Sequence, residues 1–331
     1  MSGVQASGVG SLPGTGARDA VRQVRDLFVG EGIPYLPELP ARGPGADLIG
    51  RAASHLTELP VDLQPSGWRL ADGSGRDAAR GRAYLREDLD ELAEAYDGYD
   101  GPLKLQVCGP WTLAGSMWLP RGERVVTDAG ATRDLVQSLA DGAASHVAAV
   151  RALVPGAQIV LQLDEPGLPA VLAGRLPTAS GFGRTRAVEV SVVRDALTYV
   201  VNAVAGITDS LVLHCCAPDV PLPLVRDVPE LEPAVDVSLL RAGQWDGIAE
   251  LVESGRRIWA GVIPTDSAAR HPREALGPFV EMWRRVGLGN ELLGQVVVTP
   301  ACGLAGRSPA QALAIQRLTL QGAQFLNDES A

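Results

Sequence analysis

The sequence predicts an α/β fold, a single (β/α)8 TIM barrel with long loops on its C-terminal face. Three observations carry this expectation. Short apolar runs rich in β-branched residues alternate with longer stretches of helical spacing, the pattern of βα units on a parallel sheet. Eight such runs can be counted, as a closed barrel requires. The first of them opens Gly8-Val9-Gly10-Ser11-Leu12-Pro13, which lacks the third glycine that a dinucleotide-binding doubly wound sheet places after its first strand. With 331 residues, 46% of them hydrophobic, there is apolar material for one large core, and residues 1–331 read as one domain.

Taken in order, the candidate strands are 8–12 (GVGSL), 34–37 (PYLP), 103–108 (LKLQVC), 158–163 (QIVLQL), 211–215 (LVLHC), 234–239 (AVDVSL), 257–263 and 295–299 (QVVVT). Helical spacing covers about 17–31, 131–153, 188–204, 245–255, 272–287 and 309–326. In 131–153, Leu135, Leu139, Ala143, His146, Val150 and Leu153 fall at three- or four-residue steps, which is one helix face. Ser308 and Pro309 form an N-cap and first-position pair for the last helix. Residues 60–84, rich in Gly, Pro and charge, read as an insertion. Residues 166–185 follow a strand directly and read as a candidate lid, because loops after strands build a barrel's active face.

Charge excludes several functions. With 29 basic against 39 acidic side chains the net charge is −10, which disfavours phosphate neutralisation on nucleic acid and docking on anionic lipid. No apolar run is long enough to span a membrane, and residues 1–14 lack the basic and apolar regions of a secretory signal, so a cytoplasmic protein is expected. Four cysteines do not make a disulfide framework. Free thiols or metal ligands fit better.

The chemistry concentrates at strand ends. In Leu213-His214-Cys215-Cys216, alternation points His214 and Cys216 to one side and Cys215 to the other. Cys302, in Thr299-Pro300-Ala301-Cys302-Gly303, follows another strand. One imidazole and two thiolates suit Zn²⁺ and leave a fourth position for a thiol substrate, although small residues filling a barrel would read the same way. Cys108 and Cys215 read as core. Asp164 and Glu165 end the run QIVLQL, either as carboxylates at the top of a pocket, holding an ammonium group or acting as base, or as a helix cap. Glu38 follows the second run. Ser11 and the turn Cys108-Gly109-Pro110-Trp111-Thr112 are small-residue turns where backbone can approach a ligand. His146 reads as a core histidine, and His55 and His271 as surface residues.

In this order the blocks GSLP, PELP, GPWT, LDEP, HCC and PACGLAGR resemble the catalytic C-terminal barrel of cobalamin-independent methionine synthase. That family sits in a wider group of barrels with uroporphyrinogen decarboxylase and zinc-dependent methyltransferases acting on thiols. The resemblance runs from about residue 8 to 325. It implies one catalytic zinc held by His214, Cys216 and Cys302, and homocysteine methylated at sulfur to give methionine. The amino-acid contacts carry over onto Ser11, Glu38 and Asp164, with Glu165 beside them and Asp164 as catalytic residue. The implied methyl donor is 5-methyltetrahydrofolate or a corrinoid, which a partner protein could carry. Three departures stand out. The family's glutamate zinc ligand is absent, and Asp236 is the nearest substitute. The block Gly261–Ser267 has no histidine where the family has one. The chain is also too short for the second, N-terminal barrel that helps bind folate polyglutamate. A metal-free decarboxylase-type barrel and a non-catalytic family member are the alternative readings.

Overall fold

The computed structural model describes residues 3–266 and 271–330. Its strands are β1 (Gln5–Ala6), β2 (Val61–Gln64), β3 (Gly67–Leu70), β4 (Gly101–Cys108), β5 (Ala157–Asp164), β6 (Ser210–Cys215), β7 (Leu231–Asp236), β8 (Ile258–Ile263) and β9 (Val296–Pro300). The helices are α1 (Ala17–Phe28), α2 (Leu48–His55), α3 (Arg76–Ala95), α4 (Pro110–Ser116), α5 (Ala129–Leu153), α6 (Leu168–Leu172), α7 (Val190–Val204), α8 (Leu222–Asp227), α9 (Ala242–Glu253), α10 (Pro272–Arg285) and α11 (Pro309–Ser330).

Seven strands form one parallel sheet in the order β1-β9-β8-β7-β6-β5-β4, so the first strand of the chain pairs with the last. The two edges meet through an extended segment, 33–38, which bridges Ser7 and Ser11 on one side and Lys104 on the other. This is the second predicted strand. Pro34 and Pro37 remove the N–H groups a continuous ladder needs, so it closes the barrel by single bridges instead. The first predicted strand is shifted. Regular pairing occupies Gln5–Ala6, and GVGSL is the chain leaving it. Gly8 is required there, since a Cβ would collide with the Tyr35 ring.

The strands read as near-continuous apolar runs because helices cover the sheet outside and side chains fill it inside. Outward residues such as Leu103, Leu105, Leu161, Leu163, Leu211 and Leu213 join the large core under the helices. Ile33, Val160, Val212, Ala234, Trp259 and Val297 form a separate apolar plug within the barrel. Near the strands' N-terminal ends it is sealed by Arg257, bonded to Glu232 at 3.0 Å and Ser210 at 3.0 Å, with the Trp259 indole donating to Glu232 at 2.7 Å. The other end of the interior is polar, and it is there that the candidate residues gather.

The stretch 60–84 has structure of its own: β2 and β3 pair as an antiparallel hairpin against Trp118, and the chain enters α3 at Arg76. In 166–185, α6 comes first, and an exposed turn follows with Phe182 99% exposed at its tip. His146 packs in the core, as its helix face dictates. His55 is not on the surface as expected. It is buried against His146, ring centroids 4.7 Å apart, because α2 and α5 pack together. Burial drives both imidazoles toward the neutral form, His55 down to about 3. His271 is exposed, at the position just before α10, with no side-chain capping bond. Among the described residues no helix is long and apolar enough to cross a membrane; Ser267 of the histidine-free block lies outside them.

Candidate active site and metal centre

The pleat decides which side chains enter the barrel. In register, Cys108 pairs with Asp164 and Asp164 with His214, so neighbouring strands deliver their ends side by side. Asp164 Oδ1 lies 2.6 Å from His214 Nδ1 and accepts a second bond from Gln162 Nε2 at 2.7 Å. A carboxylate on Nδ1 selects the tautomer with its proton there and leaves the Nε2 lone pair free. That Nε2 is buried and has no hydrogen-bond partner. Unlike the unbonded ring nitrogens of His55 and His146, this one belongs to an imidazole whose other nitrogen is held by a carboxylate, which leaves its lone pair open to a ligand.

The thiols of Cys216 and Cys302 converge from different strand ends, Sγ to Sγ at 3.4 Å. Two sulfurs about 2.3 Å from one tetrahedral zinc are separated by about 3.8 Å, within a few tenths of this spacing. The hydrogen bond from Cys216 pulls the Cys302 thiol below its ordinary value, while the same bond and burial push Cys216 up. Two converging cysteine sulfurs and an open imidazole nitrogen are a donor set whose chemistry suits zinc. Among the described residues no group of three or more His, Cys, Asp or Glu side chains is already arranged to hold a metal ion. Cys108 and Cys215 stand apart as buried core thiols, and burial raises Cys215 to about 12.

Ser11 and Glu38 reach the same region along the closing seam. The Glu38 amide donates to Gly10 O at 3.1 Å and the Leu12 amide to Glu38 O at 2.8 Å. Leu304 N donates to Ser11 O at 2.8 Å, and a Cβ on Gly303 would collide with Ser11 Oγ. Gly303 thus lets the serine loop lie against the residue after Cys302. Glu38 is buried, its nearest cation the Arg51 Nε at 3.4 Å, and among the described residues no hydrogen-bond donor reaches its carboxylate. Burial raises it to about 7 against the pull of Arg51.

Glu165 has a different task from the substrate contact expected of it. It is fully buried, and its two oxygens accept from Trp111 N at 2.8 Å, Thr112 N at 2.6 Å and Thr112 Oγ1 at 2.7 Å. It caps the first turn of α4, the other reading that the sequence left open. Asp236 is also engaged locally, its Oδ1 accepting from Ser238 N at 2.9 Å and Oγ at 2.6 Å. It borders a cleft of about 840 Å³ shared with Gly261, Trp245, Phe279 and Ala301.

The sequence reading passed over the most unusual side chain of the interior. Lys104 is wholly buried, and its three donors are satisfied by Val9 O at 2.8 Å, Gln106 Oε1 at 2.9 Å and Gln162 Oε1 at 2.9 Å. Burial lowers it to about 7. Through Gln162 it connects to Asp164 and so to His214. The signal was present: Lys104 and Gln106, then Gln162 and Asp164, are polar at every second place within apolar strands.

Residues 106–324 match the family model described as the catalytic domain of the cobalamin-independent synthase. That span includes Asp164, His214, Cys216, Asp236 and Cys302, and leaves Ser11 and Glu38 outside it. Among solved structures, the chain is similar to a B12-independent methionine synthase from Shewanella sp. W3-18-1 in complex with selenomethionine. The TM-score is 0.63 and the identity 13%, over 98% of each chain, a likeness of fold. No curated protein matches the sequence.

Proposed function

This chain belongs to the cobalamin-independent methionine synthase family of methyltransferases, and from that premise we propose that it methylates the thiol of homocysteine to give methionine. Residues 1–331 act in this reading as one catalytic barrel in the cytoplasm. His214, Cys216 and Cys302 hold zinc, and Asp236 is too committed to its own turn to be assigned as a further ligand. One observation carries the reading: the buried, unpartnered Nε2 of a histidine whose other nitrogen is held by Asp164 at 2.6 Å, in the region where two thiols converge. Bound there, zinc supplies a soft Lewis acid that lowers the pKa of a thiol substrate.

The protein's own groups orient the acceptor. Asp164 spends Oδ1 on His214 and Gln162, which leaves Oδ2 for the substrate ammonium group. Glu38 has no donor on its carboxylate and offers the second contact. Two carboxylates for one ammonium would repel each other in a dry site. Lys104, fixed beneath them by three acceptors, offsets one charge. Ser11, against Gly303, presents a hydroxyl and a turn to the carboxylate end of the amino acid. Glu165 holds α4 and the Gly109 turn in place. The methyl group arrives from 5-methyltetrahydrofolate or a methylated corrinoid, and the exposed turn after α6 acts as the lid over the open face.

Zinc per chain in wild type and in Cys302→Ala, purified without chelators, tests the metal. About one zinc in wild type and little in the variant is the expected result. Methyl transfer to homocysteine from each of the two donors then tests the reaction. A wild type that neither carries nor binds zinc refutes the assignment.

A further inference from the structure

Behind Glu38 lies a line of buried charges that no part of the proposed reaction yet uses. Arg51 on α2 is almost fully buried, its Nε 3.4 Å from Glu38 Oε1 and its Nη1 2.5 Å from Asp88 Oδ2. Asp88, on α3, also accepts Arg42 Nη2 at 2.9 Å. Through Asp88 of α3 to the pocket wall, the signs therefore alternate: Arg42 in the turn after the seam, Asp88, Arg51, Glu38. Both guanidinium groups stay charged; Arg42 also lies 3.6 Å from the exposed Glu87, so Asp88 is shared between the two arginines and Glu38 is the carboxylate on the pocket side of Arg51.

The contact between Arg51 and Glu38 is poor as a structural ion pair. It is long, the Arg51 Nε–H has no hydrogen-bond partner, and no other donor among the described residues reaches the carboxylate. A pair serving stability alone would close to a short bidentate fork, as arginine and carboxylate readily do. Here Asp88 holds the guanidinium back, and Glu38 keeps its hydrogen-bonding capacity for something else.

We infer that Arg51 is a positioning residue for substrate binding: anchored by Asp88, it presents Glu38 as the anion that receives the ammonium group of the amino-acid thiol. This rests on the homocysteine reading above and adds how the site tells an amino acid from a thiol without an amino group. The groups facing Glu38 are Arg51 and Lys104, which favour its anion, and Asp164 and Asp88, which oppose it. Burial opposes it as well. With Arg51 removed, the balance turns toward the protonated acid, which contacts an ammonium weakly.

The test is binding of L-methionine and of its deaminated analogue 4-(methylthio)butanoate, by calorimetry at pH 6.5 and 8.5, to wild type, Arg51→Met and Glu38→Gln. Loss of one pKa unit of preference for the anion weakens methionine by about tenfold in Arg51→Met at pH 6.5. The gap narrows at pH 8.5, and the analogue binds both proteins equally. Glu38→Gln loses methionine affinity at both pH values. An Arg51→Met protein that binds methionine like wild type at pH 6.5 overturns the inference. So does one that loses both ligands equally at both pH values, since that is general damage to the pocket. A wild type that binds neither ligand overturns the homocysteine reading itself. Arg51→Gln keeps hydrogen bonding to Asp88 without the charge and replaces Arg51→Met if that variant does not fold. If neither folds, Arg51 is structural and the inference fails.

Discussion

Replacing Asp164 separates two things the carboxylate does for His214: it supplies a charge and it selects a tautomer. Its Oδ1 accepts from His214 Nδ1 at 2.6 Å and from Gln162 Nε2 at 2.7 Å. In Asp164→Asn the amide oxygen can accept both bonds, so the tautomer survives, but charge-assisted bonds become neutral ones. Bonds to charged groups are worth about 1.5–3 kcal/mol and neutral ones about 0.5–1.5, a difference near 1–1.5 kcal/mol. One factor of ten in zinc affinity corresponds to about 1.4 kcal/mol, so about tenfold weaker binding is expected. Asp164→Ala removes the acceptor altogether. Nδ1 then competes with Nε2 for the proton, and the loss approaches the upper end, about a hundredfold, of what outer carboxylates contribute at metal-bound histidines. The assay is chelator competition for zinc at pH 7, with a thermal melt to confirm the fold. Activity would mix in the ammonium contact, so affinity is the readout. Zinc binding unchanged in Asp164→Ala but lost in His214→Ala would refute the argument that the carboxylate prepares the imidazole.

Two further outcomes follow from buried groups. Glu165→Gln keeps one acceptor but sets an NH2 group against the Trp111 or Thr112 donors, so stability falls by about 2–4 kcal/mol and Tm by several degrees, while the folded variant still binds zinc. An unchanged Tm would remove Glu165 from its capping role. His55 and His146 are held neutral, and each leaves a buried ring nitrogen unbonded. The unfolded chain takes up protons at these imidazoles below about pH 6.5 while the folded one does not, so their contribution is full above that pH and is lost on acidification, for His55 toward about 3. Each can add about 1.4 kcal/mol per pH unit to the slope of stability between those values. Denaturant melts of wild type and His146→Leu between pH 7 and pH 4 should therefore converge or cross at the acid end. Parallel curves would contradict it.

How much of this was legible in the sequence depends on whether a residue's position is set by its own strand or by packing elsewhere. Alternation alone places His214 and Cys216 on one side of β6 and separates Asp164 from Glu165, yet it does not say which of the two carboxylates faces inward. The structure resolves this: Asp164 lies beside His214 inside, and Glu165 turns to α4. Cys302 reaches Cys216 only because β9 and β6 belong to one curled sheet, so its partnership was readable as a hypothesis from two strand ends and no more. The segment at 34–37 was readable as extended, but its prolines hid how it pairs. Arg51, Asp88 and His55 could not have been found by periodicity. Their neighbours come from other helices and from the closing seam, and nothing in the spacing of α2 or α3 announces them. Lys104 could have been. A lysine in an apolar parallel strand is expensive unless the interior provides acceptors, and Gln106 two residues on and Gln162 of the neighbouring strand supply them.

The pairing of β1 with β9 also sets the order in which the site can come into being. His214 and Cys216 leave the ribosome long before Cys302, and Ser11 long before the Gly303 against which it rests. Neither the thiol pair nor the serine turn exists until the last strand has docked on the first and the seam at 33–38 has joined both edges. Local βα units can form earlier, but this closure spans nearly the whole chain, a high-contact-order step that comes late in folding. A barrel that has not closed therefore holds these side chains only as scattered single groups, and their convergence is a mark of the closed seam.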